Sequence, residues 1–151
     1  MSRINVNECF FMDIEWYGVD KNGNIAVFCN AGKANVPEFV CENRERAEEI
    51  AEYFEMRERT TNSILYFHSI ESAEQIAKDF SDKGLFYFDA NDGTQFGVAT
   101  LHTYYTKLST PLKPLKYNTL PERIRRLLKN NYMEVEDFSS MNEIHIMHAY
   151  S

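Results

Sequence analysis

The segment from Trp16 to Cys29 constrains the fold of this chain more than any other. Two runs of β-forming residues, 16–20 and 25–29, flank a short polar stretch. The Asn22-Gly23 pair within that stretch supplies the positive φ angles that a tight type I′ turn needs. The sequence therefore predicts an antiparallel β-hairpin near the amino terminus.

Three later segments have the periodicity of amphipathic helices. Apolar residues recur at i, i+3, i+4 and i+7 in residues 43–59 and again in residues 71–83, which is the spacing of one helical face. A shorter apolar pattern in residues 120–130 predicts a third helix. The apolar positions of the first two helices are Ala47, Ile50, Ala51 and Phe54, and Ala73, Ile76, Ala77 and Phe80.

The remaining β-forming segments complete a mixed pattern of strands and helices. Strands that are joined as hairpins and interrupted by helices are typical of an antiparallel sheet with helices on one face. The sequence therefore predicts a single α+β domain over residues 1–151, with a mostly antiparallel sheet and about three helices packed on one face. The further candidate strands are residues 85–88, 96–106, 133–137 and 143–148, the first two joined by a turn at 91–93.

The charge of the chain is uneven. Its 151 residues hold 16 Lys and Arg against 23 Asp and Glu, a formal net charge of −7. Such a field repels a phosphate backbone, so nucleic-acid binding is not expected. Residues 107–129 form one basic island of seven Lys and Arg with a single Glu. This island is interpreted as the solvated face of the third helix, and whether it has a function stays open.

Neither a membrane span nor a secretory signal is expected. A span needs about 20 mostly apolar residues, whereas the longest stretch without charge, residues 94–106, contains Gln, His, Tyr and Thr. The apolar run that follows Arg3, residues 9–12, is shorter than the about 7–15 residues of a signal core. These patterns predict a cytoplasmic location.

The chain lacks the sequence motifs of common catalytic and phosphate-binding sites, such as G-x-S-x-G or a glycine-rich phosphate loop. His145 and His148 would point to opposite faces of a strand, so neither a metal site nor a cofactor is expected. The solitary His68 and His102 fit either a buried structural histidine or a general base. The cysteines, interpreted as buried free thiols in a reducing compartment, are Cys9, Cys29 and Cys41.

One face of the first predicted helix carries a stripe of glutamates. The stripe fits two interpretations: a solvated helix face, or an acidic surface that attracts a basic protein partner. Trp16 and Tyr17 are candidate aromatic anchors for the second interpretation, because aromatic residues are enriched at interfaces. The glutamates are Glu45, Glu48, Glu49, Glu52 and Glu55.

A small enzyme or ligand-binding domain is the alternative, with a pocket lined by His102, Tyr104, Tyr105 and Asp89. Pockets combine apolar walls with a few convergent polar groups. Along a strand, however, His102 and Tyr104 share one face while Tyr105 takes the other. A third option, a scaffold role, predicts a homo-oligomer rather than a specific partner.

Three motifs resemble those of a group of small bacterial proteins. Residues 16–28 follow a W-F-x-V-D-x-x-G-x-I-A-x-F pattern, with Tyr17 in place of the Phe. Residues 114–124 match P-L-x-x-x-x-L-P-E-x-I, and Asp-Phe-Ser occurs at 137–139. In size, acidity and architecture the group resembles the immunity proteins of bacterial polymorphic toxin systems. The resemblance implies a non-enzymatic bacterial protein that neutralises a basic toxin domain, and it carries over no catalytic residue.

Overall fold

The computed structural model of the chain describes residues 2–66, 71–91 and 100–147. The predicted His68 and His148, and most of the loop after Asp89, lie outside these residues. The strands are β1 (Glu15–Val19), β2 (Ile25–Cys29), β3 (Ser63–Leu65), β4 (Phe86–Asp89), β5 (Tyr104–Pro111) and β6 (Glu143–His145). The helices are α1 (Glu8–Phe11), α2 (Glu38–Cys41), α3 (Arg44–Met56), α4 (Glu71–Ser81) and α5 (Glu122–Leu128), with 3-10 turns at Tyr117–Thr119 and Phe138–Ser140.

The six strands form one sheet. Five of them follow the order β1-β2-β4-β5-β3, and β6 pairs with β5 outside this order. The long strand β5 pairs with β6 at its beginning and with β3 at its end. Among the strands of the described residues, β2 and β4 form the one parallel pair, so the predicted mostly antiparallel sheet is confirmed. The helical segments α3, α4 and α5 all form where the periodicity predicts them.

Both faces of the sheet are buried, because successive strand residues point to opposite sides. On one face Tyr17 and Tyr87 pack under α3, α4 and α5, which confirms the prediction of three helices on one face. On the other face Trp16, Phe28 and Phe88 pack beneath α1, α2 and the carboxyl-terminal segment. The cover on both sides explains why β1, β2 and β4 are apolar at almost every position.

The first hairpin forms as predicted, but its turn is not type I′. Of the loop residues only Gly23 has a positive φ, 82°. The Gly23 amide donates to the Asp20 carbonyl (3.1 Å), and the Asp20 amide donates to the Asn24 carbonyl (3.0 Å). This is a three-residue loop that ends on a left-handed glycine. The Asp20 carboxylate selects this geometry, because it accepts from the amides of Asn22 and Asn24 at 3.0 and 2.8 Å.

The tail forms one of its two predicted strands. Residues 143–145 make β6, whereas residues 133–137 make no strand. The chain instead runs beside β1 through isolated hydrogen bonds: the Val19 amide donates to the Asn131 carbonyl at 2.9 Å, and the Met133 amide donates to the Val19 carbonyl at 2.8 Å. The next hydrogen bond, from the Lys21 amide to the Val135 carbonyl, joins the tail to the hairpin loop and not to a strand.

Two of the three motifs that resemble those of small bacterial proteins meet at one buried carboxylate. Asp20, which is fully buried, accepts from the backbone amide of Phe138 at 2.7 Å and from the side-chain amide of Asn24 at 3.0 Å. Together with the loop amides of Asn22 and Asn24, this gives Asp20 four donors. The V-D-x-x-G and Asp-Phe-Ser motifs therefore have a structural role here: they fasten the hairpin loop to the tail.

Candidate functional site

The acidic stripe lies on the solvent face of α3. Asn43 caps the start of the helix, because its side chain accepts from the Arg46 amide at 3.0 Å, and the inner face of the helix buries Ile50 and Phe54. At about 100° per residue the five glutamates fall within an arc of about 120° on the opposite side. All five are exposed: Glu45, Glu48, Glu49, Glu52 and Glu55.

Most of the negative charge of this stripe is not neutralised. Glu45 accepts from the Ser2 hydroxyl at 2.8 Å and from the Ser2 backbone amide at 2.7 Å, and these two hydrogen bonds lower the pKa of the Glu45 carboxyl. Glu49 lies 3.5 Å from Arg123 of α5. Within residues 2–66, 71–91 and 100–147, the other three stripe glutamates form no salt bridge. Those three are Glu48, Glu52 and Glu55.

A groove of about 600 Å³ is lined by the carboxyl-terminal half of α3, by residues 57–60 that follow it, and by Arg123 of α5. Tyr53 and Met56 both line the groove, and Met56 is 80% exposed. The Tyr53 hydroxyl accepts from the Arg57 guanidinium at 3.2 Å, which holds the ring at the groove wall. The charged residues on the rim are Glu49, Glu52, Arg57, Glu58 and Arg123.

Trp16 and Tyr17 do not belong to this surface, because each is only 1% exposed. The Trp16 ring stacks on Phe28 with centroids 4.0 Å apart, and the Tyr17 ring stacks on Phe54 at 4.7 Å. The prediction that they anchor a partner is therefore wrong for this fold: both are core residues. The exposed apolar side chain beside the stripe is Met56, which sequence reasoning missed because its place in a groove depends on how α3 packs against α5.

The alternative pocket residues are not brought into one cavity. His102 stacks on Tyr104 with centroids 3.9 Å apart. Tyr105 is fully buried on the opposite face of β5, where its hydroxyl accepts from the Trp16 indole at 3.1 Å. Asp89 lies on the face of the sheet that α3, α4 and α5 cover, and its carboxylate accepts from the Tyr87 hydroxyl at 2.7 Å. Of the four, only His102 and Tyr104 meet.

A row of titratable groups crosses the sheet where β2 and β4 end. Glu15 pairs with Cys29, and Cys29 pairs with Asp89, so the three side chains are neighbours on three strands. Burial raises the pKa of the Glu15 and Asp89 carboxyls and raises the pKa of the Cys29 thiol to about 12. The described segments hold no group of three or more His, Cys, Asp or Glu arranged for a metal ion. Strand register, which the sequence does not reveal, creates this row.

We expect the charge of Glu15 to cost stability at neutral pH. Burial, and then the nearby Glu55 and Asp13 carboxylates, raise the pKa of Glu15 above its ordinary value. The folded state therefore binds this proton more tightly than the unfolded state, and stability is lost as pH rises from the unfolded pKa through the raised folded pKa. Glu15→Gln should unfold at higher urea than the wild type at pH 7, and the gain should vanish below about pH 4.

The control for this comparison is Glu134→Gln, because the Glu134 side chain is 95% exposed. Urea unfolding of the three proteins across the pH range makes the comparison. A Glu15→Gln variant that is less stable than the wild type at pH 7, or equally stabilised at every pH, would contradict the expectation.

The basic island of the sequence does not become one basic face. Lys107 is only 6% exposed, and its Nζ donates to the carbonyls of Phe138 and Ser139, both at 3.0 Å. Lys116 donates to the Asn24 side chain at 2.7 Å, and Arg126 pairs with Glu122 on α5 at 2.8 Å. Lys107 and Lys116 therefore bond to distant segments of the fold, and Arg126 is paired within α5.

The α3 face therefore combines five exposed glutamates with one exposed apolar side chain, Met56. In the part of the chain that the structure describes, no helix has the length and apolar character needed to cross a membrane. Comparisons of this chain with protein-family models, with curated proteins and with solved structures returned no match.

Proposed function

We propose that this chain is a non-enzymatic protein-binding domain that captures a basic protein partner on the acidic face of α3. The observation that carries the proposal is the exposed Met56, beside Tyr53, in a groove that three carboxylates line together with two arginines. The carboxylates are Glu49, Glu52 and Glu58, and the arginines are Arg57 and Arg123. A centrally placed apolar side chain within a polar rim is the usual anatomy of a protein interface.

The charge of the stripe suits a cationic partner. The carboxylates of Glu48, Glu52 and Glu55 have no salt-bridge partner in the part of the chain that the structure describes. They create a negative potential that raises the rate of encounter with a basic surface. That attraction extends over about 8–10 Å at moderate ionic strength. The charge of the stripe would then speed the approach of the partner, and burial of Met56 would stabilise the complex that forms.

The motif resemblance supports a more specific role. An immunity-type protein of the bacterial cytoplasm would neutralise a basic toxin, such as a nuclease domain, by covering the surface with which the toxin meets its phosphate-rich substrate. Occlusion of this kind needs no catalytic residue. It needs a rigid acidic face, and α3 supplies one because its opposite side is packed through Ile50 and Phe54.

The direct test is a charge reversal on the stripe with a matched control. Glu48→Lys, Glu52→Lys and Glu55→Lys in one chain change the net charge as much as Glu134→Lys, Glu136→Lys and Glu143→Lys, all exposed outside α3. We expect the stripe variant to lose about tenfold or more in affinity for its partner and to lose most of the salt dependence. The control variant should change affinity by less than about threefold.

The partner for this test is a basic protein recovered at equal stoichiometry from lysate or secreted fractions of the source organism. Titration calorimetry at low and moderate salt gives the affinities of the wild type and both variants. Equal losses in the two variants would show that only the total charge matters. No loss in the stripe variant would show that the partner binds elsewhere.

A further inference from the structure

A second groove, of about 370 Å³, is lined by residues 37–39, by residues 132–135 of the tail and by residues 144–147, which include the end of β6. It shares no lining residue with the groove at Met56. Eight of its eleven lining residues are apolar, and two of these, Tyr132 and Met147, are 49% and 67% exposed. The volume lies in the range of about 300–1,000 Å³ that ligand sites have.

Strand β6 has one backbone edge that no strand of the described residues pairs with. Its pairing partner is β5, and the Ile146 amide continues that ladder by donating to the Thr103 carbonyl at 2.6 Å. Backbone groups of successive residues in an antiparallel pair point to opposite sides. The N–H and C=O groups of Glu143 and His145 therefore point away from β5, and His145 lines the groove.

The tail segment that lines the same groove also directs backbone groups away from the sheet. The Val19 amide donates to the Asn131 carbonyl, and the Met133 amide donates to the Val19 carbonyl. These two bonds form a parallel bridge between Val19 and Tyr132, so the N–H and C=O of Tyr132 itself point away from β1. In the part of the chain that the structure describes, those two groups form no backbone hydrogen bond.

We propose that this groove binds an extended, basic segment of another protein, which adds to the sheet as a strand beside β6. Main-chain hydrogen bonds to an exposed sheet edge give such complexes their affinity, and contacts with alternate side chains give specificity. The groove is separate from the α3 face, so this proposal does not depend on the function proposed for that face.

The side chains of β6 favour a segment in which apolar and polar residues alternate. Ile144 and Ile146 are 4% and 8% exposed, and they belong to the apolar cluster on one side of the sheet. Glu143 and His145 are exposed, bond to each other at 3.0 Å and point to the other side. A strand added beside β6 therefore has one face toward apolar residues and the other beside the Glu143 carboxylate.

The charge of the tail favours a cationic segment. Residues 130–147 contain four carboxylates and no Lys or Arg. One of the four, Asp137, accepts hydrogen bonds from Asn22 and Asn24 within the fold. The other three are exposed and create a negative potential that attracts Lys and Arg side chains. These three are Glu134, Glu136 and Glu143.

The test uses the native chain with labelled methionine methyl groups and a short peptide, capped at both ends, in which Val and Lys alternate. The Met133 and Met147 signals report on the groove, because both residues line it. We expect both signals to shift with half-saturation below about 1 mM peptide. The His145 amide hydrogen should exchange more slowly when the peptide is bound, because it gains a ladder acceptor.

Three control peptides separate strand addition from charge attraction alone. A peptide with Glu in place of Lys should leave the Met133 and Met147 signals unchanged. Two further peptides carry N-methyl groups, one at every Val and the other at every Lys, so each lacks the N–H donors of one edge. The one whose methyl groups face β6 should bind about tenfold more weakly than the parent peptide.

Two variants of the chain locate the binding. Charge reversal at the tail should weaken binding of the Val/Lys peptide by about tenfold, whereas charge reversal on the α3 stripe should leave the Met133 and Met147 shifts unchanged. The tail variant combines Glu134→Lys, Glu136→Lys and Glu143→Lys, and the stripe variant combines Glu48→Lys, Glu52→Lys and Glu55→Lys.

Several results would overturn this proposal without bearing on the α3 face. They are a shift at Met56 without shifts at Met133 and Met147, equal affinity of both N-methylated peptides and the parent, and an unprotected His145 amide at saturation. A dimer in which β6 pairs with a second copy of the chain and excludes the peptide, measured by sedimentation, would also overturn it. The peptide controls use the wild-type chain, so they decide even if the tail variant does not fold.

Discussion

Trp16→Ala is expected to lower the free energy of unfolding by about 4 kcal/mol, as large-to-small substitutions of buried aromatics do. The Trp16 ring lies between Phe28, on which it stacks at 4.0 Å, and the edge-on ring of Tyr105 at 5.6 Å. The alanine variant loses both contacts and leaves the Tyr105 hydroxyl without the indole donor that it accepts from at 3.1 Å. Urea unfolding followed by far-UV circular dichroism measures the loss.

Trp16→Phe is the matched control for this expectation. It keeps a stacking ring against Phe28 and removes only the indole donor and part of the volume, so its loss should be clearly smaller than that of Trp16→Ala. If the alanine variant does not fold, Tyr105→Phe tests the hydroxyl with both rings kept. It removes the bond from the Trp16 indole together with the bond that the hydroxyl donates to the Asn35 carbonyl at 2.6 Å. A loss under about 1 kcal/mol for Trp16→Ala would mean that Trp16 is not packed in the core.

Asp20→Ala is expected to cost about 3 kcal/mol, because it leaves buried donors without their acceptor. The carboxylate accepts four hydrogen bonds, two from loop amides and two that involve the side chain of Asn24 and the amide of Phe138. The variant should therefore loosen the hairpin loop and the tail together. Amide hydrogen exchange at Phe138, alongside urea unfolding, measures both effects.

Asp20→Asn separates the hydrogen bonds from the space that the side chain fills. Asp20→Asn keeps one acceptor oxygen. Its free energy of unfolding should therefore lie between those of the wild type and Asp20→Ala. Asp137→Ala is a second comparison, because Asp137 also accepts from Asn22 and Asn24 but lies nearer the surface. Unchanged exchange at Phe138 in Asp20→Ala would show that the loop and the tail are not coupled through this residue.

Local patterns predict the elements of this fold better than they predict how the elements meet. The β-forming runs on both sides of Asn22-Gly23 correctly indicate a hairpin. The turn type differs from the expectation because the Asp20 carboxylate, which is also bonded to the distant Phe138, favours another loop geometry. Residues 133–137 have β-forming character yet bond to β1 at isolated positions only, which no local propensity expresses.

The sequence likewise predicts one part of the candidate site and not the rest. Helical periodicity correctly identifies an exposed glutamate stripe on α3, since a helix has one inner and one outer face. It cannot show that Trp16 and Tyr17 are both buried, because that requires a cover on each side of β1 by segments far away in sequence. The groove at Met56 likewise depends on how distant segments pack, because Arg123 of α5 is among the residues that line it.

The proposal that a basic partner binds the α3 face can be tested most directly by methyl NMR with labelled methionines. Met56 lies in the groove, Met147 is 67% exposed at a different surface, and Met133 and Met141 pack against the core. On addition of the partner, the Met56 methyl signal should shift or broaden while those of Met133, Met141 and Met147 stay in place. An unchanged Met56 signal with a perturbed Met147 signal would contradict binding at the α3 face.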